Sequence, residues 1–185
     1  GGEDTRLEIG DRNVIRECAT VHRGTVQDEG VTRIGNDGLF MAYTHVAHDC
    51  RIGDHVIMAN GATLAGHVVI EDHVILGGFT LVHQFCSIGA HSFTAMGTAI
   101  GKDVPPYLMV SGNPAKPHGI NTEGLKRRGF TAEQLKVLKA AYRVLYLSGL
   151  KLEEAHRRLD EMSADAPEAG RLAEFLVHSR RSIVR

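Results

Sequence analysis

Tryptophan is absent from this chain of 185 residues, aromatic side chains total 5%, and cysteine appears three times. No apolar run is long enough to cross a bilayer and no signal-like apolar segment is present, so stable membrane insertion is not expected. The formal net charge is −1, which offers little to a nucleic-acid backbone or an anionic membrane surface. Cys18 has no evident disulfide partner, and reduced thiols suit a cytoplasmic protein. What is present is a chain 43% hydrophobic with 21 glycines, long enough for one or two domains with a real core. Its charge is uneven: residues 1–120 hold 8 Lys/Arg against 13 Asp/Glu, and residues 121–185 hold 13 against 9.

The apolar residues keep a period. From Ile34 through Ile88, and again at Ile100, every sixth position is aliphatic or similarly apolar, with Thr94 the single interruption. A coarser repeat of 18 joins Ile34-Gly35, Ile52-Gly53, Ile70-Glu71 and Ile88-Gly89. A fixed hexapeptide period predicts a parallel β-helix, in which three strand-and-corner units close one triangular coil. Coils stack about 4.8 Å apart, so residues 18 apart become vertical neighbours on one face. A narrow interior has little room for rings, which accounts for the aromatic deficit. Cys50 and Cys86 stand two coils apart, about 9.6 Å, beyond disulfide reach.

The pattern breaks twice. Ile9 and Ile34 are 25 apart, one coil plus 7, so residues 27–33 are expected to bulge as a loop, and such loops often border a binding face. At Val104-Pro105-Pro106-Tyr107 two prolines end regular ladder pairing. Beyond Asn121 the period becomes helical. Thr131 and Gln134 form a capping box ahead of a stripe of Leu135, Leu138, Ala141, Tyr142 and Leu145, and Gly149 ends that helix. Leu152 to Met162 and Glu168 to His178 read as two more. The chain thus divides into a β-helix over 1–119 and an α-helical domain over 120–185 that caps the solenoid.

Spacing also sorts the histidines. His55, His73 and His91 are each 18 apart and predict a stacked, solvated ladder. His48, His67 and His83 are 19 and 16 apart, yet all fall in the third hexapeptide of successive coils, so they gather on one edge, with His45 just before them. Asp49 beside His48 suits a carboxylate that stabilises a general base, and Gly66 beside His67 can offer a backbone N–H to a developing oxyanion. A zinc site built from stacked imidazoles stays open on these grounds.

Ala47-His48-Asp49-Cys50, Leu64-Ala65-Gly66-His67, Val82-His83-Gln84-Phe85, Asp103-Val104-Pro105-Pro106-Tyr107 and Glu123-Gly124-Leu125-Lys126-Arg127-Arg128-Gly129-Phe130 resemble the UDP-N-acetylglucosamine 3-O-acyltransferases of lipid A synthesis. The resemblance runs from Glu3 to Arg185. It implies a left-handed parallel β-helix, a homotrimer with active sites between subunits, and no cofactor. It also implies transfer of a 3-hydroxyacyl chain from acyl carrier protein to UDP-GlcNAc. By the same resemblance His48 is the base, Asp49 orients it, and Gly66 supplies the oxyanion N–H. His67, His83 and Gln84 position acyl and sugar groups, His45 lies near the diphosphate, and Asn121, Glu123, Arg127 and Arg128 face the nucleotide end. Met96, in the coil three above His48 and roughly 14 Å away, would limit acyl length.

Family members carry further N-terminal coils, with a substrate-contacting Asp and Lys that this chain lacks, and Asp4 stands where they usually have Pro. Other readings are a hexapeptide N-acyltransferase, a γ-class carbonic anhydrase-like metalloenzyme, and a truncated solenoid without activity.

Overall fold

The computed structural model describes residues 2–185. Three sheets run up the coil, containing five, seven and five strands; within the coil each strand pairs in parallel with the one a coil earlier, and only the last strand of the seven-stranded sheet is antiparallel. Most strands are two residues long, and the second residue faces inward: Phe40, Val46, Met58, Leu64, Ile70 and Leu76 are all buried. Thr94 is tolerated there because its hydroxyl meets the Thr80 hydroxyl at 2.7 Å and accepts from the Gly77 N–H at 3.0 Å.

Three places after each inward residue the chain turns in the left-handed region, with φ of 57° at Asp37, 60° at Asp49, 57° at His55 and 61° at His67. For a non-glycine residue this costs on the order of 1–2 kcal/mol. A hydrogen bond from each corner N–H to the preceding coil offsets it: His55 to the Asn36 carbonyl, His67 to His48, His73 to Asp54, Phe85 to Gly66 and His91 to Asp72, at 2.8–3.2 Å. The corners therefore stack in three columns. Asp37, His55, His73, His91 and Tyr107 form the first, Tyr43, Gly61, Phe79 and Gly97 the second, and Asp49, His67 and Phe85 the third.

The loop expected at 27–33 lies earlier. Val31–Ile34 is a strand paired with Arg6–Ile9, because Val31 and Thr32 are 2% and 0% exposed and belong to the interior. The chain leaves the coil after Val21 and rejoins at Val31, so vertical partners across this excursion are 25 apart, as Thr20 is from His45.

Four helices follow: α1 (Thr122–Arg127), α2 (Ala132–Tyr146), α3 (Leu152–Ser163) and α4 (Pro167–His178). The capping box at Thr131 and Gln134 opens α2, whose buried face is Leu135, Leu138, Ala141 and Leu145. Leu135, Leu138 and Ala141 share a core with Leu125 and Tyr107, so the last corner residue of the coil is also part of the helical core. Two segments depart from the expected division of the chain. Lys116–Ile120 is an antiparallel strand on the second sheet, and Ile183 returns to bridge Asp103. The buried Asp103 carboxylate accepts from the Ser87 N–H at 2.8 Å, the Ser179 hydroxyl at 2.6 Å, and the N–H groups of Arg180 and Arg181 at 3.0 and 3.2 Å. Among the described residues no helix is long and apolar enough to cross a membrane.

The first-corner imidazoles do stack, His55 on His73 at 4.7 Å and 3°, and His73 on His91 at 4.8 Å and 15°. They are not all solvated, because Tyr107 extends the stack and Phe130 lies edge-on to His91 at 5.2 Å. His91 Nδ1 is buried without a hydrogen-bond partner. Burial, followed by the neighbouring His73 and Arg128, pulls the His91 pKa from 6.5 down to about 4. Between those values the unfolded chain binds a proton that the folded chain refuses, so stability falls as pH falls through this window. His91→Phe places at this corner a residue that already occupies the left-handed corners at 79 and 85. The variant is expected to lose less of its urea midpoint than the parent between pH 6.5 and pH 4. Equal losses in parent and variant would rule out His91 as the source.

Candidate functional site

The third corner brings His48, Asp49, Gly66 and His67 together. His48 immediately precedes the corner residue Asp49, and its Nδ1 lies 2.8 Å from Asp49 Oδ2. The Asp49 side chain is 1% exposed and that of His48 39%, so a buried carboxylate backs an imidazole that reaches solvent. Charge at that depth needs donors. Thr25 supplies two, its N–H to Oδ1 at 2.8 Å and its hydroxyl to Oδ2 at 2.6 Å, and the Asp49 N–H is itself taken by the Thr32 hydroxyl at 2.8 Å. Burial pushes the Asp49 pKa up, but the Thr25 donors, His48 and the nearby His67 outweigh it and hold the carboxyl below its ordinary range.

One coil above, Gly66 lies directly over His48. A Cβ on Gly66 would fall 2.6 Å from His48 Cε1 and 2.8 Å from Nε2, so a side chain here would drive the imidazole out of place. The Gly66 N–H has no hydrogen-bond partner among the described residues, which leaves it available to an oxygen beside His48. His67 meets His48 edge-on at 5.1 Å, stacks on Phe85 at 4.6 Å, and directs Nε2 toward Asp49 Oδ2 at 3.9 Å. Its Nδ1 faces Asp28 Oδ2 at 3.0 Å. His67 is thus in strict corner register with Asp49 and Phe85, although its spacing from His48 and His83 had suggested a residue outside the repeat. Among the described residues, His48, Asp49 and His67 are the one group of His, Cys, Asp or Glu donors close enough to share a metal ion. The first-corner ladder is not such a group.

The other expected site residues are dispersed. His83 and Gln84 are exposed on the coil above, with His83 Nδ1 turned to the Gln84 carbonyl at 3.2 Å. His45 is bonded to the Thr20 hydroxyl at 2.8 Å and meets His22 edge-on at 4.8 Å. Burial and then His22 lower its pKa. Asn121 caps α1 and donates to the His91 carbonyl at 2.9 Å, and Arg128 donates to the His73 carbonyl at 3.0 Å. Both tie the helices to the first corner, whereas Glu123, paired with Lys126 at 3.0 Å, and Arg127 are exposed. Met96 is 79% exposed at the second corner, which rules out a core-filling role.

Sequence reasoning missed Thr20, His22, Thr25 and Asp28. The slip of seven residues carried the signal, because it sets the vertical offset at 25 rather than 18 and places Thr20 beneath His45 and Thr25 beside Asp49. Thr25→Val keeps the shape and removes the hydroxyl donor to a buried carboxylate. We expect a loss of about 1.5–3 kcal/mol in urea unfolding. A loss under about 0.5 kcal/mol would mean that Asp49 does not depend on this donor.

Residues 32–66 match the bacterial transferase hexapeptide family, and residues 103–184 match the family described as UDP N-acetylglucosamine O-acyltransferase, domain 2. The acyl-[acyl-carrier-protein]–UDP-N-acetylglucosamine O-acyltransferase of Thiobacillus denitrificans is 56% identical over 184 residues, covering all of this chain and 71% of that protein. The structure of LpxA from Acinetobacter baumannii superposes with a TM-score of 0.97 at 48% identity, over the whole chain and 72% of its own. The Francisella novicida UDP-N-acetylglucosamine acyltransferase gives 0.95 at 49% identity, over 97% of this chain and 66% of its own. With this identity across the full chain and this agreement of fold, the chain belongs to the acyl-[acyl-carrier-protein]–UDP-N-acetylglucosamine O-acyltransferase family.

Proposed function

We propose that His48 is the general base with which this chain, an acyl-[acyl-carrier-protein]–UDP-N-acetylglucosamine O-acyltransferase of lipid A biosynthesis, activates its sugar substrate. The carrying observation is the His48–Asp49 pair under Gly66. Asp49 accepts the Nδ1–H, which fixes the tautomer and leaves the lone pair on Nε2. Nε2 takes the proton of the GlcNAc 3-hydroxyl as that oxygen attacks the thioester carbon of the (R)-3-hydroxyacyl carrier protein. The carbonyl oxygen becomes negative, and the free Gly66 N–H donates to it, a contact of a kind worth about 3 kcal/mol. Collapse expels the carrier thiolate, which recovers the proton from His48. No cofactor enters, because the thioester is already activated.

His67, His83 and Gln84 line the acyl and sugar side of the same corner, and His45 with His22 holds the diphosphate. Within one chain α1 and the Arg128 that follows it sit at the first corner and His48 at the third, so a complete site draws Asn121, Glu123, Arg127 and Arg128 from a neighbouring copy. A homotrimer meets this need, and exposed Tyr43, Phe79, Leu81, Phe85 and Met96 give it apolar surface to cover. A groove of about 510 Å³ lined by Lys126, Lys136, Lys139 and Arg143 suits the acidic acyl carrier protein. Three unpaired cysteines suit a cytoplasmic setting.

Acyl transfer to UDP-GlcNAc should fall by roughly 10²–10⁴-fold in His48→Ala with far-UV circular dichroism unchanged. Equal rates would sink the mechanism. Met96 ends the acyl groove, so Met96→Gly should move preference toward longer hydroxyacyl chains in a competition among carrier thioesters. An unchanged preference would remove Met96 from that role.

A further inference from the structure

The geometry points to a second use of the third corner: a site for a divalent first-row ion such as Zn²⁺, held by His48 Nδ1, Asp49 Oδ2 and His67 Nε2, that switches the catalytic base off. One donor atom from each of the three residues lies within 4.8 Å of the other two. Adjacent ligands of tetrahedral zinc stand roughly 3.4 Å apart, given metal–ligand distances near 2.0–2.2 Å. The observed separations bracket that value, 2.8 Å from Asp49 to His48 and 3.9 Å from Asp49 to His67. Small movements of two imidazoles, one of them 39% exposed, would close the polyhedron and leave the fourth position to water.

An independent observation comes from Asp28. Metal-bound histidines characteristically donate their other ring N–H to a carboxylate, which fixes the tautomer and strengthens the ligand. His67 has this arrangement, with Nδ1 3.0 Å from Asp28 Oδ2, so its Nε2 lone pair is presented toward Asp49. Asp49 Oδ2 accepts the Thr25 hydroxyl with one lone pair and has the other free once the His48 proton leaves. Asp49 and Asp28 together balance the charge of the ion.

The blocking effect follows from counting protons. Neutral imidazole carries one N–H. In the free enzyme it is on Nδ1, against Asp49, and Nε2 is the base. A metal on Nδ1 moves that one proton to Nε2, with no net release to solvent, and Nε2 is the atom that must accept the hydroxyl proton. This blocking role rests on His48 as the base, whereas binding of the ion does not.

Co²⁺ added to the chelator-treated protein is the probe, because tetrahedral Co²⁺ absorbs visibly where the aqueous ion is pale. One equivalent should develop those bands, Zn²⁺ should displace it, and transfer activity should fall along the same binding curve and return with EDTA. His67→Gln should abolish the bands, Asp28→Asn should weaken binding roughly 10–100-fold, and His55→Gln should leave it unchanged. Absence of bands, or bands that survive His67→Gln and disappear in His55→Gln, would overturn the site. Full transfer with the ion bound would overturn its blocking role, and the His48→Ala rate separately decides whether His48 is the base.

Discussion

The hydrogen bond from each corner N–H to the coil below is the interaction on which the rest of this molecule depends. It makes a left-handed turn affordable for Asp, His, Phe and Tyr side chains, and in doing so it fixes one corner residue above another. A column of side chains follows without further specification. At the first corner the column is a stack of imidazoles ending in Tyr107. At the third it sets Asp49, His67 and Phe85 in line and brings Gly66 down over His48.

The hexapeptide period made most of the scaffold legible, since the inward positions, the coil height and the buried Cys50 and Cys86 all follow from counting by six. The capping box at Thr131 and the stripe from Leu135 to Leu145 made α2 legible in the same way. Counting failed where the chain leaves the coil. The excursion ends at Val31, because burial of Val31 and Thr32 recovers more than a longer loop would, and its contacts to Asp49 and His67 arise between residues with no periodic relation. His91 looked like its equivalents at 55 and 73, yet Phe130 covers it, and a pattern confined to the coil has no knowledge of the helices. Asn121 and Arg128 donate to coil carbonyls, and these ties between the helices and the first corner likewise lie outside any count by six.

The site places a carboxylate inside and an imidazole that reaches solvent outside. Thr25 is what makes this tolerable, and Thr25 belongs to the irregular excursion, not to the repeat. Regularity thus supplies position, and the irregular segment supplies the chemistry that a repeat of apolar hexapeptides lacks. Asp28, from the same excursion, extends the arrangement to a second imidazole.

Asp103 has a consequence for how the molecule opens. Its carboxylate grips the segment after α4, while its neighbours Pro105 and Tyr107 lead into the helices from the other side. The helical domain is therefore a handle fastened at both ends to the same coil. A handle of this kind has no free end from which to fray, so its amides and those of the last coil should belong to one cooperative unit of local unfolding, separate from the coils that carry His48.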